Sequence, residues 1–170
     1  SQTVTGVQTC ALPISDCEPL VVLGAHHDAV DDILDEACLR TYASRWDQGM
    51  GASLVCGVDA IADTAAEKFL VLACDQALVT AGDLCELEEA CDGVDAAAGF
   101  YDGVVGVPAC FQARCRDWIL KVAGDRGARA LLRGGDLTVR SVPMQCAAAD
   151  IDVPEDLEDL RAHSDETVSQ

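Results

Sequence analysis

Positive charge is scarce in this sequence. Eleven Lys and Arg stand against 30 Asp and Glu, a formal charge of −19. A field of that sign repels phosphate backbones and disfavours a general nucleic-acid binder. A small phosphorylated ligand stays compatible if a divalent metal carries charge between acidic side chains and phosphate. Long apolar runs are missing too. None approaches the roughly 20 residues that span a bilayer, and Phe69–Cys74 is about as long as a buried strand, so no membrane role is expected. Although there are ten cysteines, no pair has the C-x-x-C spacing of a zinc or thioredoxin site, and only three histidines could join them. Cys56, Cys74 and Cys110 lie within the apolar stretches SLVCGV, FLVLACD and GVPACF, where thiols act as small buried hydrophobes. With no recognisable export signal, reduced thiols favour a cytoplasmic protein.

What remains is an ordinary globular balance. The chain has 170 residues, 50% hydrophobic and 24% charged, enough for one domain with a real core. Residues Val4–Ile14, VTGVQTCALPI, resemble one reading frame of a widely used sequencing-library adapter, so residues 1–15 are set aside as non-native. From Asp16 onward, strand-like and helix-like segments alternate. Leu20–Leu23 reads as a buried parallel strand ending at Gly24. Val30, Ile33, Leu34 and Ala37 recur at helical spacing, with Asp28, Asp31, Asp32 and Asp35 toward solvent. Leu39–Ala43 suits a second strand, and Leu54, Val58, Ile61, Ala62 and Ala65 form another helical stripe.

Phe69–Ala73 is the most strand-like run. A helix with Leu84, Leu87 and Cys91 inward follows Thr80, a cap with Asp83 three residues on. Tyr101-Asp102-Gly103 predicts a hairpin turn. Helical stretches near Trp118–Val122 and Ala128–Leu132, a strand at Leu137–Val142 and a helix opening at Pro154 complete the pattern. Ala162–Gln170 reads as a polar tail. The alternation indicates an α/β sheet with helices on both faces, as one domain over residues 16–162 and a tail over 163–170.

In open α/β sheets, ligands bind beyond the carboxyl ends of the strands. Asp75 stands there and can hold a hard divalent ion, or simply cap a turn. Asp150 and Asp152 form a second acidic pair. Gly49, Met50, Gly51 and Ser53 belong to a glycine turn before a helix, suited to an anion or to no ligand at all. Leu54 stands where a third glycine would complete a dinucleotide fingerprint. Gly124–Arg129 supplies Arg126 and Arg129, either phosphate-binding forks or a solvated helix start. His26 and His27 sit at another sheet edge, as a base, a ligand or solvated side chains.

At these positions the chain resembles the molybdenum cofactor cytidylyltransferase branch of the MobA-like NTP transferases. The matching stretches are VVLGAHHDAV, WDQGMGASL with CGV, FLVLACDQALVT, YDGVVGVPACF, GDRGARALL and DIDVPEDLEDL, in the family's order from about Cys17 to Leu160. The resemblance implies a Rossmann-like, open, mostly parallel sheet and transfer of CMP from CTP, or of another NTP's monophosphate, to molybdopterin with Mg²⁺ and release of pyrophosphate. It implies Asp75 and Asp152 as metal-binding catalytic residues. Gln76 would be a neighbour in the nucleotide pocket, and the 49–53 loop with a turn at Gly106-Val107-Pro108 would line the nucleotide and pterin clefts. Arg126 and Arg129 become phosphate or pterin contacts, and a molybdoenzyme or its chaperone becomes a partner. A guanylyl-transferring or purine-catabolic relative is the alternative, and a non-catalytic, cysteine-rich metal-binding protein is the alternative from another class.

Three departures stand out. The family's first strand and its glycine-rich loop, with an arginine and a lysine that grip the triphosphate, are missing. Ala77 replaces a proline, and Val153 replaces a Thr or Ser cap at a cost of roughly 1 kcal/mol. Because the first strand of a doubly wound sheet is central, its loss exposes strand edges. The expectation is an active parent enzyme and an inactive, poorly soluble 170-residue chain.

Overall fold

The computed structural model describes residues 19–36, 38–121, 127–149 and 151. Two sheets carry the fold. Strands β1 (Leu20–Leu23) and β2 (Leu39–Tyr42) pair in parallel, Leu20 opposite Leu39 and Leu23 opposite Tyr42. Strands β3 (Lys68–Val71), β4 (Ala96–Tyr101), β5 (Val104–Gln112) and β6 (Val139–Pro143) form a four-stranded sheet in the order β3-β5-β4-β6. β5 is antiparallel to both β3 and β4, and β6 is parallel to β4. Three of the four strands share one direction and β5 is reversed between β3 and β4, so two of the three pairings are antiparallel and the open sheet is mixed. Among the described residues β1 and β3 each pair with one strand only, leaving their other edges open.

Helices cover both faces of the larger sheet, and alternation along the strands shows it. Ala96, Ala98, Ala109 and Phe111 point to one side, where α2 (Met50–Ala60), α4 (Arg116–Ile119) and α5 (Gly127–Arg133) contribute Val58, Ile119, Leu131 and Leu132. Ala97, Tyr101 and Cys110 point to the other, against Leu84, Leu87 and Cys91 of α3 (Ala81–Ala90). Alanines in β4 let helices approach the sheet closely from either side. The α3 start is the expected capping box: Asp83 N–H donates to Thr80 Oγ1, and Thr80 N–H to Asp83 Oδ2 at 2.8 Å. The arrangement contributes about 1 kcal/mol. The hairpin also forms as expected, with Asp102 at φ 50° and Gly103 at φ 74°, the positive dihedrals of a tight two-residue turn.

Several expectations need correcting. The first helix, α1, covers only His27–Asp31, and Ile33 is 81% exposed instead of inward. Asp31 turns from solvent to β2, where it accepts from Arg40 and from the Tyr42 hydroxyl. With no side chain capping its start, the helix has little to extend it. α2 stops at Ala60, so Ala62 and Ala65 are not on its stripe. There Thr64 Oγ1 donates to the Ile61 carbonyl, and the Arg116 guanidinium donates to the carbonyls of Ala62 and Ala66. The expected strands 69–73 and 137–142 run 68–71 and 139–143. Cys38, Cys91, Cys110 and Cys115 are buried free thiols, while Cys56 and Cys74 are only partly covered and Cys85 is exposed. Burial pushes the Cys110 and Cys115 thiols upward, so they stay protonated and inert. Residues 1–15, Ala37, the Pro154 helix and the 163–170 tail lie outside the described residues.

Candidate functional site

The C-terminal end of β3 runs directly into Asp75. Val71 is the last paired residue, and the chain then turns, with Ala77 N–H donating to the Asp75 carbonyl at 3.1 Å. The Ile151 N–H donates to the same carbonyl at 2.9 Å, so the segment that follows β6 returns to the end of β3. Asp75 Oδ1 is buried and has no hydrogen-bond partner. A buried carboxylate oxygen left unpaired costs free energy unless a cation or a donor from a ligand meets it. Among the described residues no group of three or more His, Cys, Asp or Glu could hold a metal. Asp152 and Asp150 lie outside the described residues, but Ile151 stands between them in sequence.

Gln76 points inward. It is 7% exposed. Its Nε2 lies 2.8 Å from the Ala147 carbonyl, 3.0 Å from the Val107 carbonyl and 3.2 Å from the Tyr101 hydroxyl. An amide nitrogen carries two hydrogens, so the two carbonyls take them, while the Tyr101 hydroxyl donates to Val107 at 2.7 Å. Gln76 thus ties the Asp75 turn to β5 and to the segment after β6. Gly106-Val107-Pro108 is not a turn but part of β5. Ala98 pairs with Ala109 and Gly99 with Gly106, so Val107 and Pro108 form a bulge opposite β4. Pro108, behind a cis Val107–Pro108 peptide, is fully buried. A methyl group on Gly106 would sit 3.0 Å from the Tyr101 hydroxyl and 3.7 Å from Arg129 Nε, which places exposed Arg129 beside the bulge.

The glycine turn lies at the end of β2. Gly49 has φ 103°, a conformation that favours glycine. It opens α2, and no side chain caps the amides of that first turn, which leaves them for an anion. Met50 is exposed, whereas Gly51 and Ser53 are buried. A methyl on Gly127 would lie 3.5 Å from Met50 Cβ and 3.9 Å from Gly51 N, so the starts of α2 and α5 adjoin. Arg126 lies outside the described residues, and His26 and His27 are at the exposed start of α1. The structure therefore brings together Met50 and Gly51 with Gly127, Arg129 with Gly106, and Gln76 with the β5 bulge. Sequence reasoning missed Tyr101, whose buried hydroxyl joins the last of these groups. Its only sequence signal was its place before Asp-Gly.

The class defined by this layout is an α/β domain with an unpartnered carboxylate oxygen beyond β3 and an uncapped helix start beyond β2. The sequence pattern of the MobA-like NTP transferase domain matches residues 3–142, and the chain belongs to that family. The match begins within the segment 1–15. Solved structures share the fold. A nucleotidyl transferase from Methanothermobacter thermautotroptrophicus is 20% identical with a TM-score of 0.69, the match covering 87% of this chain and 73% of that one. Rv0371C of Mycobacterium tuberculosis H37Rv, solved as a manganese complex, is 19% identical with a TM-score of 0.66, covering 83% and 75%. Molybdopterin-guanine dinucleotide biosynthesis protein A from Archaeoglobus fulgidus is 16% identical with a TM-score of 0.63, covering 86% and 78%. No curated relative matches the sequence.

Proposed function

We propose that this chain is a cytoplasmic nucleotidyltransferase that moves CMP from CTP to molybdopterin and releases pyrophosphate. Asp75 and Asp152 would hold Mg²⁺. The observation that carries the reading is the buried, unpartnered Oδ1 of Asp75 at the end of β3, where Ile151 is hydrogen-bonded to the same residue's backbone. An oxygen of the pterin's terminal phosphate attacks the α-phosphorus of CTP. The bond from that phosphorus to the bridging oxygen breaks, and pyrophosphate leaves with the electron pair. Little covalent help is needed; in-line positioning and charge neutralisation supply most of the rate. The bound ion would neutralise charge on the phosphates. The uncapped amides at Met50 and Gly51 would orient an anionic group, Arg129 would meet a second one, and Gln76 would keep Asp75 fixed to the β5 bulge.

The GMGASL string supports cytidylyl transfer. The test is a product assay with α-labelled CTP and GTP, Mg²⁺ and molybdopterin. The enzyme should form the CMP–pterin product and pyrophosphate one for one. Preferred GMP transfer sinks the cytidylyl assignment, and no transfer from either nucleotide sinks the transferase reading.

A further inference from the structure

Trp46 is held by its backbone and by the root of its side chain, yet stays open to solvent. It opens a short 3-10 turn between β2 and α2, three residues before Gly49. Its N–H donates to the Ala43 carbonyl at 3.0 Å, and its carbonyl accepts from Gly49 N–H at 3.1 Å. The backbone of the indole and that of the glycine turn are therefore one hydrogen-bonded piece. The side chain is held as well. A methyl on Gly24, at the end of β1, would come within 3.0 Å of Trp46 Cβ and 3.4 Å of Cγ, so the root of the indole rests on that strand end. Trp46 nevertheless stays 48% exposed, and Met50, on the other side of Gly49, is 58% exposed. Large apolar groups held open beside a ligand edge present a stacking surface.

We infer that Trp46 is the platform on which the nucleotide's base lies, an inference that rests on the nucleotidyltransferase reading. The occupant follows from charge and continuity. In a chain of net charge −19 a neutral ring on a neutral indole is a contact the acidic field does not weaken, whereas phosphates need a cation. The platform also adjoins the uncapped α2 start. A stacking face reads the π-surface that every base has, so it gives affinity without choosing the base. Base choice then falls to groups that meet the ring's edge. Gly24 keeps the platform in place: a larger residue there displaces the indole.

The test uses the full chain with CMP, GMP and AMP as probes, followed by amide and indole ¹⁵N NMR. There are two tryptophans, and Trp118→Phe assigns their indole signals. The Trp46 indole should shift saturably with all three nucleotides while the Trp118 indole does not. Trp46→Ala should weaken each nucleotide about tenfold, and Trp46→Phe should restore most of that. Gly24→Val should weaken binding like Trp46→Ala, with the amide spectrum still folded. If the Gly49–Ser53 amides shift while the Trp46 indole stays still and Trp46→Ala binds equally well, the platform is refuted and the nucleotidyltransferase reading stands. If no signal moves with any nucleotide, both fall.

Discussion

Removing Gln76 and Tyr101 singly and together tests how the Asp75 turn is fixed. The Val107 carbonyl has two donors, Gln76 Nε2 at 3.0 Å and the Tyr101 hydroxyl at 2.7 Å, whereas Ala147 accepts from Gln76 at 2.8 Å. Tyr101→Phe leaves Val107 served by Gln76 and should cost about 1 kcal/mol, the usual net value of one hydrogen bond. Gln76→Met keeps the side chain's bulk but orphans the Ala147 carbonyl, at about 2 kcal/mol. The double variant also strips Val107 of both donors inside a buried bulge. Its cost should exceed the sum of the single variants by about 1–2 kcal/mol. For a domain of this size each kcal/mol lowers Tm by about 2–4 °C. Urea unfolding of all four proteins, followed by circular dichroism, gives the coupling. Additivity within about 0.5 kcal/mol would mean the two residues do not share Val107 and would refute the network.

Other outcomes follow from charge and burial. The Thr138 N–H, and then the Arg114 guanidinium, hold the Asp95 carboxyl below its ordinary range. A carboxyl depressed by folding contributes stability above its unfolded pKa of about 4 and loses it as pH falls through the folded value. Asp95→Asn should therefore flatten the acid side of a stability–pH curve and lower stability near neutrality; an unchanged acid side contradicts the pairing. Native alkylation with peptide mapping should label exposed Cys85 well before Cys91, Cys110 and Cys115, which are buried. Equal labelling would contradict the packing of these thiols.

How much was legible depended on whether the determinant was local. β1 and β3 are short apolar runs, Thr80 and Asp83 stand at capping spacing, and Asp102-Gly103 has turn chemistry, so each was readable from a few residues. β4 was not. Its AAAG stretch has poor strand propensity and is a strand because neighbours on both edges and helices on both faces enclose it. α1 was overread because periodicity does not show that Asp31 is diverted to Arg40 and Tyr42. At the site, Asp75's position beyond a strand was visible in the sequence. The inward turn of Gln76 was not, since it depends on carbonyls 31 and 71 residues away. For the same reason a bulge read as a turn: its partner strand, not its own composition, makes it one.

Whether a divalent cation seeks Asp75 or only the acidic stretch Asp28–Asp35 can be read residue by residue. Substoichiometric Mn²⁺ added to ¹⁵N-labelled chain broadens the amides nearest the bound ion. The signals of Asp75, Gln76 and Ile151 should fade first, and Asp75→Asn should abolish that selectivity. Broadening centred on residues 28–35, and identical in Asp75→Asn, would contradict a metal-binding carboxylate at the end of β3.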